Sequence, residues 1–325
     1  MIYNALVIGL GKCGVGFDLA SQKDYIFTHT KAYMNDNRVN LIGGLDPVEK
    51  RREEFQNFSN TKAWPSVNEL LDASPSVSID IVSVCTPSHI RLEIIEGILS
   101  SIKPKVIILE KPIATKIDEA KKVEKLCKDN GVDLFINYFR RFQKGFQAIA
   151  ENMKKGSYGK LQAVNVYYSN GLFNNASHFV NLLLFFKDEM PKVKWVGSTK
   201  RTLKTGDVDV NFLLSWENID VFFHAANEDH YSFGEMDLVF SSKRVLLKNY
   251  CYELIESEVK DDPLFSNYKC LEEGDRNKEF TPMTYQAEVI SEVCRFIKEG
   301  GRNISDGMSA INTLSICHEV KRKVA

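Results

Sequence analysis

The sequence predicts an α/β domain with a doubly wound parallel sheet, followed by an α+β domain with a mostly antiparallel sheet. Three observations carry this expectation. Five short apolar runs in the first 136 residues alternate with helical stretches across short connections, as in a parallel sheet. After about residue 150 the pattern changes to short segments separated by turn residues, as in an antiparallel meander. The length, 325 residues, exceeds what one hydrophobic core usually serves, so two domains are the default.

The elements follow in order. Residues 3–10 form an apolar run that stops at glycines, with a helix expected from about Gly14. Val39 to Leu45 is a second run, closed by Asp46-Pro47, with a helix over 48–58. Ile79 to Cys85 is the third, closed by Thr86-Pro87, and Ile90 to Leu99 reads as an amphipathic helix. Val106 to Leu109 ends at Glu110-Lys111-Pro112, with a helix over 116–129 stopped by Asn130-Gly131. Val132 to Ile136 leads into Asn137-Tyr138-Phe139-Arg140-Arg141. Right-handed crossovers bring all these strand carboxyl ends to one edge, where open α/β sheets bind ligands. Beyond them, 161–168 reads as a strand and 174–187 as a helix. Strands are expected over 208–214, 219–225, 235–240, 243–248 and 250–256, an irregular surface loop over 257–280, and closing helices over 284–298 and 306–322.

Composition excludes several classes. Hydrophobic residues make up 44% and charged residues 26%, ordinary for a folded chain rather than a disordered or collagen-like one. Lys plus Arg number 42 against 43 Asp plus Glu, which argues against a nucleic-acid binder reliant on a broad basic field. The longest apolar run, Phe179 to Phe186, is interrupted by Asn181 and is too short to cross a bilayer, so no membrane partner is expected. The start lacks the basic region of a signal peptide. Seven scattered cysteines without Cys-x-x-Cys form neither a disulfide framework nor a zinc ribbon, and a reducing cytoplasm is the simplest setting.

Four motifs carry chemistry. Gly9-Leu-Gly11-Lys12-Cys13-Gly14 follows a strand and precedes a helix, the setting in which glycines admit a pyrophosphate to a helix N-terminus. Asp46 at the second strand end can accept hydrogen bonds from a ribose 2′-hydroxyl and would repel a 2′-phosphate, favouring NAD over NADP. Arg51-Arg52 downstream could instead serve a phosphate. A glycine turn with a helix-capping Asp would look the same. Lys111, in a partly apolar cleft beside a positive ring, would have a depressed pKa and could orient a hydroxyl and share its proton; a solvated lysine is the plain alternative. In Asn174-Asn175-Ala-Ser-His178-Phe-Val-Asn181, Asn174 or Asn175 can cap a helix, placing His178 near its start, where neutral imidazole is favoured. A structural histidine fits equally. His224 and His230 lie near acidic residues, but their spacing fits no helix face and straddles a hairpin turn, so no metal is expected.

Together these residues resemble the glucose–fructose oxidoreductase, inositol dehydrogenase and rhizopine-catabolism family, written Gfo/Idh/MocA. The likeness lies in Gly9, Gly11 and Gly14, in Asp46, in Thr86-Pro87, in Glu110-Lys111-Pro112, in Phe139-Arg140-Arg141-Phe142, and in the helix carrying His178. It implies a Rossmann-type dinucleotide-binding domain over 1–122. Over 123–325 it implies an α+β domain with a large, mostly antiparallel open sheet for substrate and oligomerisation, its last helices packing back on the first domain. It further implies Lys111 and His178 as the catalytic pair. Cofactor contacts are expected from Gly9, Gly11, Lys12, Cys13, Gly14, Asp46, Thr86, Pro87, His89, Glu110 and Lys111. Substrate contacts are expected from Tyr138, Arg140, Arg141, Asn174, Asn175 and Asn181.

Two departures stand out. The family's Asp four positions before the histidine is Asn174, which can hold a hydroxyl but cannot accept a proton. A histidine often four after the Thr-Pro proline is Arg91, expected on the helix surface. The expectation is an NAD-dependent oxidoreductase, with NADP possible, acting on a secondary hydroxyl of a sugar, cyclitol or nucleotide-linked sugar, as a homodimer or homotetramer through the second sheet. A non-catalytic sensor that keeps the dinucleotide fold is the competing reading.

Overall fold

The computed structural model describes residues 2–20, 24–216, 219–277 and 282–324. The chain divides into two units, residues 1–143 with 283–311, and 144–282 with 312–325. The division expected at 122/123 therefore falls at 143/144. The reason is the last parallel strand, whose residues Asp133–Ile136 pair with Val106–Leu109 and keep the preceding helix with the first sheet. Of the closing helices, the first belongs to the first unit and most of the last to the second.

In the first unit, strands β1 (Tyr3–Ile8), β2 (Val39–Leu45), β3 (Ala63–Trp64), β4 (Ile81–Val84), β5 (Val106–Leu109) and β6 (Asp133–Ile136) form a parallel sheet in the order 3-2-1-4-5-6. Helices α1 (Phe17–Leu19), α2 (His29–Met34), α3 (Glu49–Ser59), α4 (Val67–Ala73), α5 (Arg91–Ser101) and α6 (Ile117–Asp129) connect them. The continuous helix expected from Gly14 is instead a π-turn over Lys12–Gly16 followed by one turn of α1. β3 and α4 were not legible: a two-residue strand carries no period to read. The strands are apolar on both faces because helices cover both, and Val7, Ile81, Ile108 and Phe135 join Val289, Ile290 and Val293 in one core.

Register places the chemistry. Ile8 pairs with both Leu45 and Val84, Val84 with Leu109, and Leu109 with Ile136. One row of paired residues thus ends all five strands, and the next residue of each is Gly9, Asp46, Cys85, Glu110 and Asn137. The amides of Gly9, Cys85, Glu110 and Asn137 continue the ladder one step further, to the carbonyls of Leu45, Ile8, Val84 and Leu109.

In the second unit, α7 (Lys144–Lys155) leads into β7 (Leu161–Tyr168), then α8 (Ser177–Phe186). Strands β8 (Lys192–Thr202), β9 (Val208–Trp216), β10 (Ile219–Ala225), β11 (Gly234–Phe240), β12 (Lys243–Lys248), β13 (Glu253–Asp261) and β14 (Lys269–Asn277) complete an eight-stranded sheet. Its order is 14-13-12-11-7-10-9-8, antiparallel except between β7 and β10. The region expected to be a loop over 257–280 holds the end of β13 and all of β14, paired from Leu254↔Asn277 to Asp261↔Lys269; its last three residues lie outside the described ones. Alternating charges hid this edge hairpin, which is how exposed edge strands are commonly protected. β8 was likewise missed, because its lysines and arginine conceal the alternation. Helices α9 (Tyr285–Glu299) and α10 (Gly307–Arg322) close the chain. Phe179, Val180 and Leu183 of α8 pack with Tyr168, Phe212, Trp216, Phe223 and Ile316 into the second core. Among the described residues, no helix is long and apolar enough to cross a membrane.

Candidate functional site

The glycine turn is built by close approach. Gly9 has φ +91°, and a Cβ there would lie 2.8 Å from the Cys85 carbonyl carbon. A Cβ on Gly14 would lie 2.2 Å from the Gly9 oxygen, so only glycine lets the turn fold back on itself. At Gly11 an added Cβ meets nothing within 4 Å, leaving an open backbone face. Lys12 is exposed and Cys13 half-buried. The nearby Glu110 charge, then burial, pushes the Cys13 thiol up to about 12, so it stays protonated.

Asp46, expected to face a ribose, is 2% exposed. Its carboxylate accepts the amides of Leu10 and Val48 at 2.9 Å each and stands 3.4 Å from Arg51 Nη1. It therefore ties the glycine turn to the end of β2. Arg52 donates to the carbonyls of Asp46 and Pro47, both at 2.9 Å, while Arg51 remains half-exposed.

Arg91 corrects the expectation of a surface residue: it is 4% exposed. Its guanidinium donates to the Thr86 carbonyl from Nε at 3.0 Å and Nη2 at 2.9 Å, and from Nη1 to the carbonyls of Glu110 and Pro112. One buried cation thus clamps two strand-end turns together. Its fork of donors suits converging carbonyls, which histidine could not span. Thr86 is 8% exposed, and among the described residues its Oγ1 has no hydrogen-bond partner. Pro87 and His89 are exposed beside it.

Lys111 is half-buried, and its peptide bond to Pro112 is cis. Burial pushes its amine down to about 8; Glu110 and Cys13 oppose the shift, and Arg140 and Arg91 add to it. Glu110 is held by residues that the sequence did not flag. Its Oε1 lies 3.0 Å from His29 Nε2 and accepts Asn137 Nδ2 at 2.6 Å. Burial alone would raise the Glu110 pKa; the His29 contact, the Asn137 hydrogen bond and the Arg91 cation outweigh it, and the carboxyl sits below its usual range. Behind it, His29 Nδ1 is 2.8 Å from Ser83 Oγ, which is 2.5 Å from Tyr33 OH. Asn137 Nδ2 also reaches Gln286 Oε1 at 3.0 Å. No spacing rule joins positions 29, 83, 110, 137 and 286.

Tyr138, Arg140 and Arg141 follow β6 and are all buried, at 2%, 5% and 5% exposure. Arg140 stacks over Phe139, 4.8 Å from its ring centre, and Arg141 Nη1 donates to the Ile304 carbonyl at 2.9 Å. Arg141, expected to touch substrate, thus braces the first unit internally.

In the second unit, His178 is the second residue of α8 and is 8% exposed. The capping role expected of Asn174 or Asn175 falls to neither: among the described residues α8 opens without a side-chain cap, and the π-turn Leu172–Ala176 that leads into it is held by Asp207, from the β8–β9 connection. Its carboxylate accepts the Phe173 amide at 3.0 Å, the Asn174 amide at 2.9 Å and the Val208 amide at 2.8 Å. Asn174 is exposed, its Nδ2 on the Asn170 carbonyl at 3.1 Å; Asn175 Nδ2 donates to the Ser169 carbonyl at 2.9 Å. Asn181 is 1% exposed and donates to Thr313 Oγ1 at 2.9 Å, an interior contact rather than an open one. His224 stacks on Tyr167 with ring centres 4.9 Å apart. Among the described residues, no group of three or more His, Cys, Asp or Glu could hold a metal ion.

A family model described as "Oxidoreductase family, NAD-binding Rossmann fold" matches residues 4–138. The rhizopine catabolism protein MocA of Rhizobium meliloti is 24% identical over 139 residues, 43% of this chain and 42% of that protein. Inositol 2-dehydrogenase of Rhizobium meliloti strain 1021 is 28% identical over 139 residues, 42% of this chain and 40% of that protein. The chain thus spans about two-fifths of the length of these curated relatives. A solved UDP-N-acetylglucosamine 3-dehydrogenase from Acidithiobacillus ferrooxidans shares the fold with a TM-score of 0.75 at 16% identity, covering 100% of this chain and 98% of that one.

Proposed function

We propose that this chain, whose residues 4–138 match an NAD-binding Rossmann oxidoreductase family model, is a Gfo/Idh/MocA oxidoreductase that transfers a hydride between a nicotinamide cofactor and a secondary hydroxyl or keto group of a sugar, cyclitol or nucleotide-linked sugar. The observation that carries this reading is Lys111, an amine brought down to about 8, one residue past Glu110 in the strand-end row that also holds Gly9 of the glycine turn. The residues fit a dinucleotide. The open backbone face at Gly11 admits a phosphate, and the buried, unpartnered Thr86 Oγ1 awaits a polar group. Gly9 to Gly14, Thr86, Pro87 and His89 would hold the cofactor, with Asp46 acting through the turn it pins. A bound nicotinamide supplies the hydride acceptor or donor.

The chain's own residues do the rest. An amine near neutrality in pKa can donate to a substrate oxygen and exchange its proton. The ionised Glu110 keeps that amine from falling further. The Cys13 thiol, held protonated, does not compete as a nucleophile. We assign proton handling at the substrate oxygen to Lys111 and His178, and hydroxyl orientation to Asn174. With an amide where the family has Asp, nucleotide-linked sugars are slightly favoured over free sugars, because the simple carboxylate relay is missing. Self-association is assigned to the outer face of the second sheet, where Trp195, Phe222 and Tyr167 are 54%, 43% and 39% exposed.

The test mixes protein and NAD or NADP with panels of inositols, monosaccharides and UDP- or dTDP-linked sugars, following absorbance of the reduced cofactor. Turnover is expected, first with nucleotide-linked sugars. Turnover confined to free sugars rejects that preference. Tight NADH binding with no turnover in either panel rejects the enzyme and leaves a sensor.

A further inference from the structure

The buried row behind Glu110 contains more than packing. Tyr33 is 1% exposed, and burial raises its phenol pKa, so it keeps its proton and must give it to a neighbour. Among the described residues, the partner shown for it is Ser83 Oγ. Ser83, having accepted that proton, directs its own to His29 Nδ1. Nδ1 is then the acceptor of the ring, the ring proton sits on Nε2, and Nε2 donates to Glu110 Oε1. The ionised Glu110 carboxylate can only accept, which fixes the proton on Nε2 from that end, and Gln286 Nε2 at 3.3 Å from Nδ1 also suits an acceptor there. The charge-assisted bond to Glu110 meets the same carboxylate oxygen as the Asn137 amide. His29 is 0% exposed.

We propose that His29 is a positioning residue for Lys111: its Nε2–H anchors the Glu110 carboxylate as an anion, and that anion sets the charge state of the neighbouring amine. Cys13, Arg140 and Arg91 also bear on Lys111, and Arg91 and Asn137 also bear on Glu110. The two arginines act against the ammonium, and Cys13 remains a neutral thiol. Glu110 thus supplies a full negative charge that supports the ammonium, and His29 is its largest stabilising partner. The inference rests on Lys111 as the proton-handling amine.

The experiment needs neither substrate nor turnover, so it can fail while the proposed reaction stands, and the reverse. Lys111 is titrated by competitive acetylation with isotopically labelled acetic anhydride across about pH 6 to 11, with peptide mass spectrometry as readout. Two variants divide the ring. In His29→Gln the side-chain amide reaches the place of Nε2 and still donates to Glu110. In His29→Asn it reaches only the place of Nδ1. The midpoint in His29→Gln is expected within about 0.3 units of wild type, and in His29→Asn lower by about one unit. Glu110→Gln, nearly isosteric, should lower it at least as far. Near-ultraviolet circular dichroism checks folding. An unshifted His29→Asn, a His29→Gln shifted equally, or an unshifted Glu110→Gln overturns the proposal. If His29→Asn does not fold, Glu110→Gln and Ser83→Ala decide: both should lower the midpoint, and failure of either overturns it.

Discussion

The two units hold their chemical groups by different means. In the first, five strands end on one paired row, so Gly9, Asp46, Cys85, Glu110 and Asn137 are placed by backbone register before any side chain contributes. Side chains then lock the turns: Asp46 holds the glycine turn, Arg91 clamps two others, and His29 holds Glu110. In the second, one helix start carries His178 and its asparagines, and the amides leading into it are held by two carboxylates, Asp207 on Phe173 and Asn174 and Asp209 on Gly171. A row of strand ends is redundant, because each turn is fixed from several neighbours. A helix start fixed by two neighbouring carboxylates is less so. The first edge should therefore lose stability only when a clamp or a glycine is lost, and the second when Asp207, which holds two of those amides, is lost.

The largest expected effect tests whether both units supply chemistry. Lys111→Ala should lower turnover about 10³-fold with NADH affinity kept within a few-fold, and His178→Ala should do comparable damage. Single-turnover absorbance and fluorescence titration check both, and near-normal turnover in both variants breaks the reading. Next, Gly14→Ala should cost about 3 kcal/mol of stability, since its Cβ would meet the Gly9 oxygen at 2.2 Å. Gly11→Ala, with open space, should change stability by under about 0.5 kcal/mol yet weaken dinucleotide binding about tenfold or more. Thermal melts set against cofactor titration separate the two; equal melts would show that the turn is not closed as described.

Clamp and carboxylate can be compared directly. Arg91→Ala leaves three buried carbonyls short of a donor and should cost about 3 kcal/mol in urea unfolding, lowering cofactor affinity with it. Asp207→Ala should cost about 1 to 2 kcal/mol and leave cofactor affinity unchanged. If Asp207→Ala costs more than Arg91→Ala, the contrast between the units is reversed. The smallest effect is a slope. Lys111 titrates near 8 when folded against 10.5 ordinarily, so between those values the unfolded chain binds more protons and stability rises with pH. Below about 8 the cost of the buried charge is present in full. Urea unfolding of wild type against Lys111→Met should show stability gained across that window in the wild type alone; a slope of opposite sign would place the amine in a different environment.

Much of the first domain was legible because each strand is a closed apolar run followed by a residue of restricted type. Glycine, the Thr-Pro turn and Glu-Lys-Pro are local signals. Where local signal was weak the reading failed. β8 and β14 carry charges on their exposed positions, and the turn leading into α8 is held by Asp207, more than thirty positions after Asn174. Arg91 looked like a helix-surface cation because its three acceptors are backbone carbonyls, which leave no trace in residue type. Asn181 looked like a ligand contact until Thr313 met it inside the second unit.

The sequence by itself determined the doubly wound sheet, the glycine turn and the identity of the lysine, because apolar period and backbone restriction are local and additive along the chain. Only the tertiary structure decided which polar side chains face inward and whom they meet. His29, Ser83, Glu110, Asn137 and Gln286 are joined by strand register and burial, and a buried hydrogen bond between distant positions depends on where the chain has returned rather than on any residue's own preference.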